Sequence, residues 1–340
     1  MTYRVTLIPG DGIGPEITAA TLQVLDATGI ALAWDQQTPV TVAVERRGEA
    51  APDPVIESIR GTGVALKGPL ATPVGSGHRS INVALRRAFD LYANVRPVKT
   101  IIPGTCYEDI DLVMVRENTE GLYVGVEHFV AIGDDPRAVA ESSAIVTRKG
   151  CERIIRFAFE YALKHGRRLV TVVHKANILK MASGLFLEVG RDVAQEYEGR
   201  VAFNDRIVDN AAMQLVLHPQ QFDVIVTTNM FGDILSDEMA GLVGGLGLAP
   251  GANIGSRAAI FEAVHGTAPD IAGRGVANPG AMMLSAAMLL DYLGETGAAE
   301  CVKGAVIRAI RDDEVRTRDL GGEATTTEFA NHVAKLVRSQ

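Results

Sequence analysis

Short apolar runs rich in β-branched residues alternate with helical patterns along this chain, and that alternation most constrains its fold. Such runs are typical of strands that helices cover on both faces. The sequence therefore predicts an α/β architecture in which several strands are parallel. The runs predicted as strands are YRVTLI, VTVAVE, DLVMV, RRLVTVVH and DVIVTT. The helical patterns include PEITAATLQVLDAT, DPVIESIR and GDILSDEMAGL.

Length, charge and hydropathy exclude several classes of protein. The 340 residues are enough for two domains or for one large α/β unit. The net charge of −8, with no block of Lys and Arg, argues against nucleic acid or an anionic membrane as the main partner. No apolar run reaches the roughly 18 residues of a membrane span. The richest apolar segment, AMMLSAAMLLDYLG, is predicted to be a buried helix.

The cysteines indicate the redox environment. Cys106, Cys151 and Cys301 are odd in number and far apart, which fits neither a disulfide framework nor a zinc site. A reducing compartment is the simplest interpretation. Because no charged and apolar leader opens the chain, we expect a cytoplasmic protein.

Two glycine-dense stretches are predicted to be long loops. They cover residues 61–80 and 241–256. Loops of this length in a compact domain are usually functional, and the alternative is that they are mobile surface connections.

The stretch IPGDGIGPE, residues 8–16, resembles a dinucleotide-binding turn but departs from its pattern. In Gly-x-Gly-x-x-Gly a third glycine is expected where Pro15 stands. Asp35 lies near the position of the acidic residue that binds the ribose, but nothing distinguishes it from its polar neighbours. Two alternatives stay open: a turn whose helix amides face an anion or ligand, or a tight strand-to-helix turn without a ligand.

Several arginines indicate a pocket for a multiply charged carboxylate. Arg96 precedes Pro97 in the apolar stretch LYANVRPV, where an unpaired cation would be costly. Arg116 follows the predicted strand DLVMV. Arg86 and Arg87 lie on a predicted helix, where they either join this pocket or form a solvated face. The guanidinium fork matches the geometry of a carboxylate, which favours the pocket.

The aspartates of NMFGDILSDEMA indicate a hard cation. Asp233 and Asp237 are four residues apart on one helix face, where like charges repel unless a cation lies between them. Asp209 is a possible third ligand. Oxygen ligands alone predict Mg²⁺ or Mn²⁺. The alternative is helix capping and surface charge.

Lys175 and Tyr123 are candidates for proton transfer. Lys175 directly follows the predicted strand RRLVTVVH, and Tyr123 follows a glycine turn in RENTEGLY. A lysine near a metal, or a buried one, can lose its proton at neutral pH and act as a base. Both residues could equally be structural.

Six motifs together resemble those of the metal-dependent β-decarboxylating dehydrogenases, the family of isocitrate, 3-isopropylmalate, homoisocitrate and tartrate dehydrogenases. They span nearly the whole chain: IPGDGIGPE, LYANVRP, VRENTEGLYVGVEH, VHKANILK, NMFGDILSDEMAGLVGGLGLAPGANIG and VHGTAPDIAGRGVANP. The resemblance implies a three-layer α/β/α fold with a large mixed sheet that is not a Rossmann sheet, and a second, smaller α/β domain. Residues 1–92 and 244–340 would form the large cofactor-binding domain. Residues 93–243 would form the small central domain with the dimer interface and the metal and substrate residues.

The resemblance also implies the reaction. A secondary alcohol would be oxidised by hydride transfer to a nicotinamide, and the β-carboxylate would then leave as CO₂. Lys175 matches the base and Tyr123 the acid that protonates the enol. The remaining matches are the substrate arginines Arg86, Arg96 and Arg116, and the ligands of Mg²⁺ or Mn²⁺, Asp209, Asp233 and Asp237.

Cofactor choice is implied by the motif VHGTAPDIAG. Asp270 matches the acidic residue that accepts hydrogen bonds from the adenosine ribose and repels a 2′-phosphate, whereas NADP-preferring relatives carry Lys and Tyr in place of Asp270 and Ile271. The resemblance therefore predicts NAD. The other matches to the cofactor site are Ile13, Lys67 and Thr72 near the nicotinamide, and His265, Gly266, Ala268, Ile271 and Asn278 near the adenosine.

Substrate choice is implied by RSINVALRR. Ser80 and Asn82 match the pair with which isocitrate dehydrogenases hydrogen-bond the extra carboxylate, and an alkyl group would leave both unpaired. The predicted reaction is the NAD-dependent oxidation of isocitrate to 2-oxoglutarate and CO₂. Homoisocitrate or 3-isopropylmalate dehydrogenase, or mixed specificity, stays open. So does a non-catalytic regulatory role in a larger assembly, although this chain keeps the motif residues that such regulatory chains lose.

The implied assembly is an intertwined homodimer with shared active sites, which leaves open a tetramer of such dimers. Lys175 and Asp209 are expected to reach each site from the other copy of the chain. The monomer should then be inactive. Besides a second copy of the chain, the expected partner is a small-molecule substrate.

Overall fold

The computed structural model describes residues 1–37, 53–72, 80–105 and 107–339. The predicted strand VTVAVE and Cys106 lie outside these residues. The strands are β1 (Tyr3–Ile8), β2 (Leu32–Gln36), β3 (Val64–Lys67), β4 (Ala93–Lys99), β5 (Asp111–Glu117), β6 (Gly121–Ile132), β7 (Asp135–Ile145), β8 (Leu169–His174), β9 (Ala202–Ile207), β10 (Val224–Thr227), β11 (Pro250–Ile254) and β12 (Ala259–Ala263). The helices are α1 (Gly14–Ala27), α2 (Asp53–Thr62), α3 (Ile81–Ala88), α4 (Arg148–Lys164), α5 (Ala182–Gln195), α6 (Val208–Leu217), α7 (Asn229–Leu242), α8 (Gly280–Tyr292), α9 (Thr296–Arg311) and α10 (Thr326–Arg338).

The described strands form one large mixed sheet and one small sheet, which confirms the predicted fold class. The ten strands of the large sheet run in the order β2-β1-β3-β12-β11-β4-β5-β10-β8-β9. Strand β1 is parallel to β2 and β3, whereas β11 and β12 are antiparallel. The order therefore differs from that of a Rossmann sheet. The second sheet is an antiparallel pair, β6 and β7.

The chain divides into two compact units by its internal contacts. The first contains residues 1–91, 96–110 and 240–340, and the second contains residues 92–95 and 111–239. Cofactor binding by one part of the chain and dimer formation by the other remain predictions.

The core of the first unit includes the predicted buried helix AMMLSAAMLLDYLG. It forms most of α8, which packs against β11 and β12. Met282, Met283 and Leu289 are completely buried. Among the described residues, no helix has both the length and the apolar character needed to cross a bilayer.

The prediction of long loops at residues 61–80 and 241–256 is wrong where the structure describes them. Strand β3 lies inside the first stretch, and β11 lies inside the second. Every residue of β3 is buried. A strand this short and buried on all sides shows no alternation of polar and apolar residues, and the glycines around it hide its pattern.

Helix α3 in the first unit shows how the core orients polar side chains. Ile81 and Leu85 are buried four residues apart and form one apolar face. They belong to a cluster with Ile8, Ile59 and other apolar residues. Asn82 and Arg86 each follow one of these core residues, so they share a second helix face.

Parallel strands of the second unit end at the same edge. Strand β10 lies between β5 and β8, and both pairs are parallel. Thr227 is level with Arg116 on one side and with Val173 on the other. The segments that follow these strands therefore begin near one another, as is typical of ligand sites in α/β proteins.

Candidate active site

The glycine turn at residues 9–14 is held by backbone contacts within the first unit. The amide of Asp11 donates to the carbonyl of Pro69 (2.7 Å), and that of Ile13 donates to Thr267 (2.9 Å). Gly12 has a φ of +57°, and a Cβ there would lie 2.0 Å from the Thr267 oxygen. Glycine is required because two backbones meet at this point. The turn therefore joins the predicted nicotinamide and adenosine motifs, and Ile13 lies buried in it.

The predicted adenosine residues lie in this same part of the first unit. His265 Nδ1 lies 3.0 Å from the Gly266 carbonyl oxygen, and Ile271 donates to Ala268 in a turn (3.2 Å). Asn278 is buried, donates to Asp319 (2.9 Å) and accepts from Gly280 (2.8 Å). These bonds fix the shape of the loop before any ligand binds.

Two features of this loop fit a nucleotide. His265 Nε2 is buried and has no hydrogen-bond partner among the described residues. Burial also lowers the pKa of this imidazole, which favours its neutral form. Asp270 is exposed and forms no ion pair within the described chain, so its carboxylate is available to hydroxyl groups. The ribose and base of NAD can form hydrogen bonds with groups of this kind, an unpartnered ring nitrogen on His265 and an exposed carboxylate on Asp270.

Lys67 lies in a buried charge cluster. Its Nζ lies 2.5 Å from Glu262 Oε2, and both side chains are almost fully buried. Arg86 Nη2 lies 3.9 Å from Glu262 Oε1, and Asn253 donates to that oxygen (2.7 Å). The two cations and Asn253 outweigh the effect of burial and lower the pKa of Glu262 to about 2. Glu262 is not predicted from the sequence, where its only signal is a charge inside the apolar strand AIFEA.

Ser80 and Asn82 stand at the start of α3. Ser80 directly precedes the helix and makes no side-chain capping bond, while Thr72 donates to its hydroxyl over 3.4 Å. Asn82 Oδ1 is buried without a partner in the described chain. Asn82 and Arg86 line one small cavity together with Lys67 and Glu262. Arg96 is buried on β4.

In the second unit, hydrogen bonds join three predicted residues. Arg116 lies near the end of β5 and is almost completely inaccessible. Its Nη1 donates to Asp233, and Tyr123 donates its hydroxyl to the other oxygen of Asp233 (2.6 Å). The guanidinium also lies 5.2 Å from the centre of the Tyr123 ring. The predicted substrate arginine, acid and metal ligand therefore form one group.

The turn between β5 and β6 is held by a buried carboxylate. Glu117 accepts hydrogen bonds from the amide and hydroxyl of Thr119 and from the amide of Glu120. Burial raises the pKa of Glu117, and these three donors partly oppose that effect. The turn connects Arg116 to the strand that carries Tyr123.

Lys175 and Asp209 form a second pair in this unit. Lys175 follows β8, Asp209 lies in the first turn of α6, and the lysine Nζ donates to Asp209 Oδ1. This hydrogen bond lowers the pKa of Asp209. Asp237 is exposed on α7, one turn after Asp233.

The three aspartates fit a hard cation by chemistry but not as a group within one chain. In the described part of the chain, no three His, Cys, Asp or Glu side chains are grouped closely enough to hold a metal ion. Asp233 and Asp237 offer oxygen ligands from one face of α7, and Asp209 lies on α6.

Comparisons with known proteins agree with the motifs. Residues 4–333 match the family model described as isocitrate/isopropylmalate dehydrogenase. A protein of Drosophila melanogaster, described as the probable alpha subunit of mitochondrial NAD isocitrate dehydrogenase, is 46% identical, over 98% of this chain and 88% of that protein. A regulatory subunit of the mitochondrial NAD isocitrate dehydrogenase of Dictyostelium discoideum is also 46% identical, over 98% and 92%.

The prediction of a cytoplasmic protein is wrong, because these Drosophila and Dictyostelium relatives are mitochondrial proteins. Scattered cysteines indicate only a reducing environment, and this property does not distinguish one reducing compartment from another.

A solved structure matches nearly every residue. The crystal structure of isocitrate dehydrogenase from Methylococcus capsulatus is 54% identical with a TM-score of 0.95, over 99% of this chain and 100% of that one. The resemblance predicted from the six motifs is thus confirmed, and this chain belongs to the isocitrate/isopropylmalate dehydrogenase family.

Proposed function

We propose that this chain is an NAD-dependent isocitrate dehydrogenase, which oxidises isocitrate to 2-oxoglutarate and CO₂ with a divalent metal ion. The names of the Drosophila and Dictyostelium relatives and of the Methylococcus structure support this activity, and the two relatives are named as NAD enzymes. The observation that carries the proposal is the hydrogen-bonded group of Arg116, Tyr123 and Asp233.

Each member of this group has a role that its chemistry supports. The guanidinium of Arg116 can bind a substrate carboxylate as a fork. The Tyr123 hydroxyl can deliver a proton to the enol carbon after CO₂ has left, and Lys175 can take the proton of the substrate hydroxyl. Asp209, Asp233 and Asp237 would hold a Mg²⁺ or Mn²⁺ ion that would polarise the substrate oxygen, and bound NAD would supply the hydride acceptor.

Polar groups on α3 favour isocitrate over an alkyl-bearing substrate. Ser80 directly precedes α3, and Asn82 lies on this helix with Arg86. The Ser80 hydroxyl and the side-chain N–H of Asn82 can each donate a hydrogen bond to a carboxylate. An isopropyl group against them would leave buried polar atoms unpaired. The test is NADH formation by the purified chain with Mg²⁺, using isocitrate, homoisocitrate and 3-isopropylmalate under identical conditions. A higher kcat/KM for either alternative would contradict this substrate assignment.

Exposed apolar side chains support a homodimer formed through the second unit. Of the 17 large apolar side chains that are exposed in the described chain, all but Met1 and Tyr292 lie there. They include Phe129 and Ile132 on the β6–β7 hairpin and Leu217 on α6. A second copy could cover this surface and bring its Lys175 and Asp209 to each site, where Asp209 would complete the set of metal ligands.

Mixing two inactive variants tests the shared site. Lys175→Ala and Asp233→Ala chains should each be inactive, because each lacks a residue of every site. In a mixed dimer, one site receives both intact residues, so we expect activity to return after the two variants are unfolded and refolded together. Mixed dimers that form, as shown by differently tagged copies, but stay inactive would contradict the shared site.

A regulatory role is the second candidate, because the Dictyostelium relative at 46% identity is named as a regulatory subunit. This chain keeps every residue assigned to the reaction, which favours a catalytic role. Turnover of isocitrate by the purified chain alone decides between the two. Activity that requires addition of a different chain would favour the regulatory role.

A further inference from the structure

Asn229 holds the guanidinium of Arg116 by two hydrogen bonds. Its Oδ1 accepts from Arg116 Nε (3.0 Å) and from Nη2 (2.7 Å). Both side chains are about 1% exposed, so water does not compete for these bonds. Asn229 is the first residue of α7 and opens the motif NMFGDILSDEMA, but its residue type alone predicts no role for it.

These bonds determine which part of Arg116 remains for a ligand. A guanidinium carries five N–H groups. The two bonds to Asn229 and the one to Asp233 use three of them, on Nε, Nη2 and Nη1. Each Nη keeps one further N–H, and no other described side chain or backbone group accepts from it. Two donors at the end of a guanidinium form the fork that binds a carboxylate through both oxygens.

The other contacts of Asn229 connect this arginine to the turn before Tyr123. Asn229 Nδ2 donates to the carbonyl oxygen of Glu120 over 3.2 Å, and Glu120 is the residue before β6. A Cβ on Gly232 would lie 2.6 Å from Arg116 Cγ, so the glycine leaves room for the arginine stem. Asn229 therefore contacts both the arginine and the turn that carries the tyrosine strand.

We propose that Asn229 is a positioning residue for substrate binding: it fixes the Arg116 guanidinium so that one N–H of each Nη faces the substrate carboxylate. The proposal rests on the proposed function, in which Arg116 binds that carboxylate. A wrong substrate would show as failure of the wild-type protein to bind or turn over isocitrate. A wrong role for Asn229 would show only in the variants below.

The first test replaces Asn229 with leucine, which has a similar size and no acceptor. We expect KM for isocitrate to rise roughly 10-fold or more, because two hydrogen bonds to a charged group are lost. The kcat should change much less, because the carboxylate is held equally in the bound substrate and the transition state. Calorimetric binding of isocitrate with Mg²⁺ and without NAD should weaken by a similar factor. KM for NAD should not change.

Two further variants separate positioning from stability. Asn229→Ser keeps a small polar residue that helix starts favour but cannot span the distance to Arg116, so it should fold well and still raise KM for isocitrate. Val226→Ala is the control, since it removes buried methyl groups three residues earlier, at a position of β10 that is level with Val115 and not with Arg116. An unchanged KM in both Asn229 variants, or an equal rise in Val226→Ala, would overturn the proposal.

A double-mutant cycle tests whether Asn229 acts through Arg116. On an Arg116→Gln background, Asn229→Leu should weaken isocitrate binding by less than about twofold, because the group that Asn229 orients is gone. If Asn229→Leu weakens isocitrate binding by the same factor in Arg116→Gln as in the wild-type protein, the two effects are independent. Asn229 then does not act by positioning this arginine.

Discussion

Replacing Glu262 with glutamine should destabilise the protein by about 3 kcal/mol at pH 7. The carboxylate pairs with Lys67 and Arg86 in the core of the first unit, and its pKa falls from 4.5 to about 2. A shift of this size corresponds to about 3.4 kcal/mol of stability at about 1.36 kcal/mol per pKa unit. The variant also leaves two cations buried without their anion, a change that typically costs about 3–5 kcal/mol.

The pH dependence follows from the direction of the shift. Because the folded pKa is lowered, the ionised carboxylate stabilises the folded state fully above pH 4.5, and this contribution is lost as the pH falls towards 2. With these two pKa values, the contribution decreases to roughly 1.4 kcal/mol at about pH 3. The difference in stability between wild type and Glu262→Gln should therefore narrow below about pH 4.5 and stay constant between about pH 5 and 7.

Urea unfolding of both proteins across this pH range measures the effect. Glu300→Gln is the control, because Glu300 forms an exposed pair with Lys303 and should matter by less than about 0.5 kcal/mol. If Glu262→Gln costs no more than this control, or if its cost is the same at the acidic and neutral ends of the range, the buried ion pair does not stabilise the fold as argued.

Three other predictions concern cofactor, substrate and backbone. The wild-type kcat/KM should be higher with NAD than with NADP. Asp270→Asn should lower the ratio of these two kcat/KM values, because it removes the charge that repels the 2′-phosphate. A wild-type preference for NADP would contradict the role of Asp270. Ser80→Leu should lower kcat/KM for isocitrate and shift substrate preference towards 3-isopropylmalate. An unchanged ratio of the kcat/KM values for these two substrates would argue against Ser80 as a determinant of substrate choice. Gly12→Ala should lower Tm by several degrees, because its Cβ would overlap the Thr267 carbonyl; Gly29→Ala, at a positive φ in open space, is the control for backbone strain alone.

The elements that the sequence predicted well share one property: their apolar pattern is long enough to read. YRVTLI and AMMLSAAMLLDYLG correspond to β1 and α8. Strands β3 and β11 were missed because they are short, buried and surrounded by glycine. The β6–β7 hairpin was missed because its side chains are mostly exposed within one chain, so no alternation marks a buried face.

Within the candidate site, the sequence predicted residues whose type suggests chemistry, and it missed those that act through contacts. Arg116, Tyr123 and Asp233 were nominated from charge and motif, and hydrogen bonds join them in the structure. Asn229 is an ordinary residue type for a helix start, and Glu262 is marked in the sequence only as a charge inside an apolar strand. Their importance depends on which side chains meet them in three dimensions, and spacing along the chain does not contain that information.

The bond between Ile13 and Thr267 has a consequence for how the chain folds during synthesis. The amino-terminal segment of the first unit cannot complete its contacts until residues 240–340 have left the ribosome. Nearly all of the second unit is continuous, at residues 111–239, and emerges earlier. We therefore expect the middle of the chain to reach its native structure first, while the glycine turn waits for a partner segment made near the end of translation.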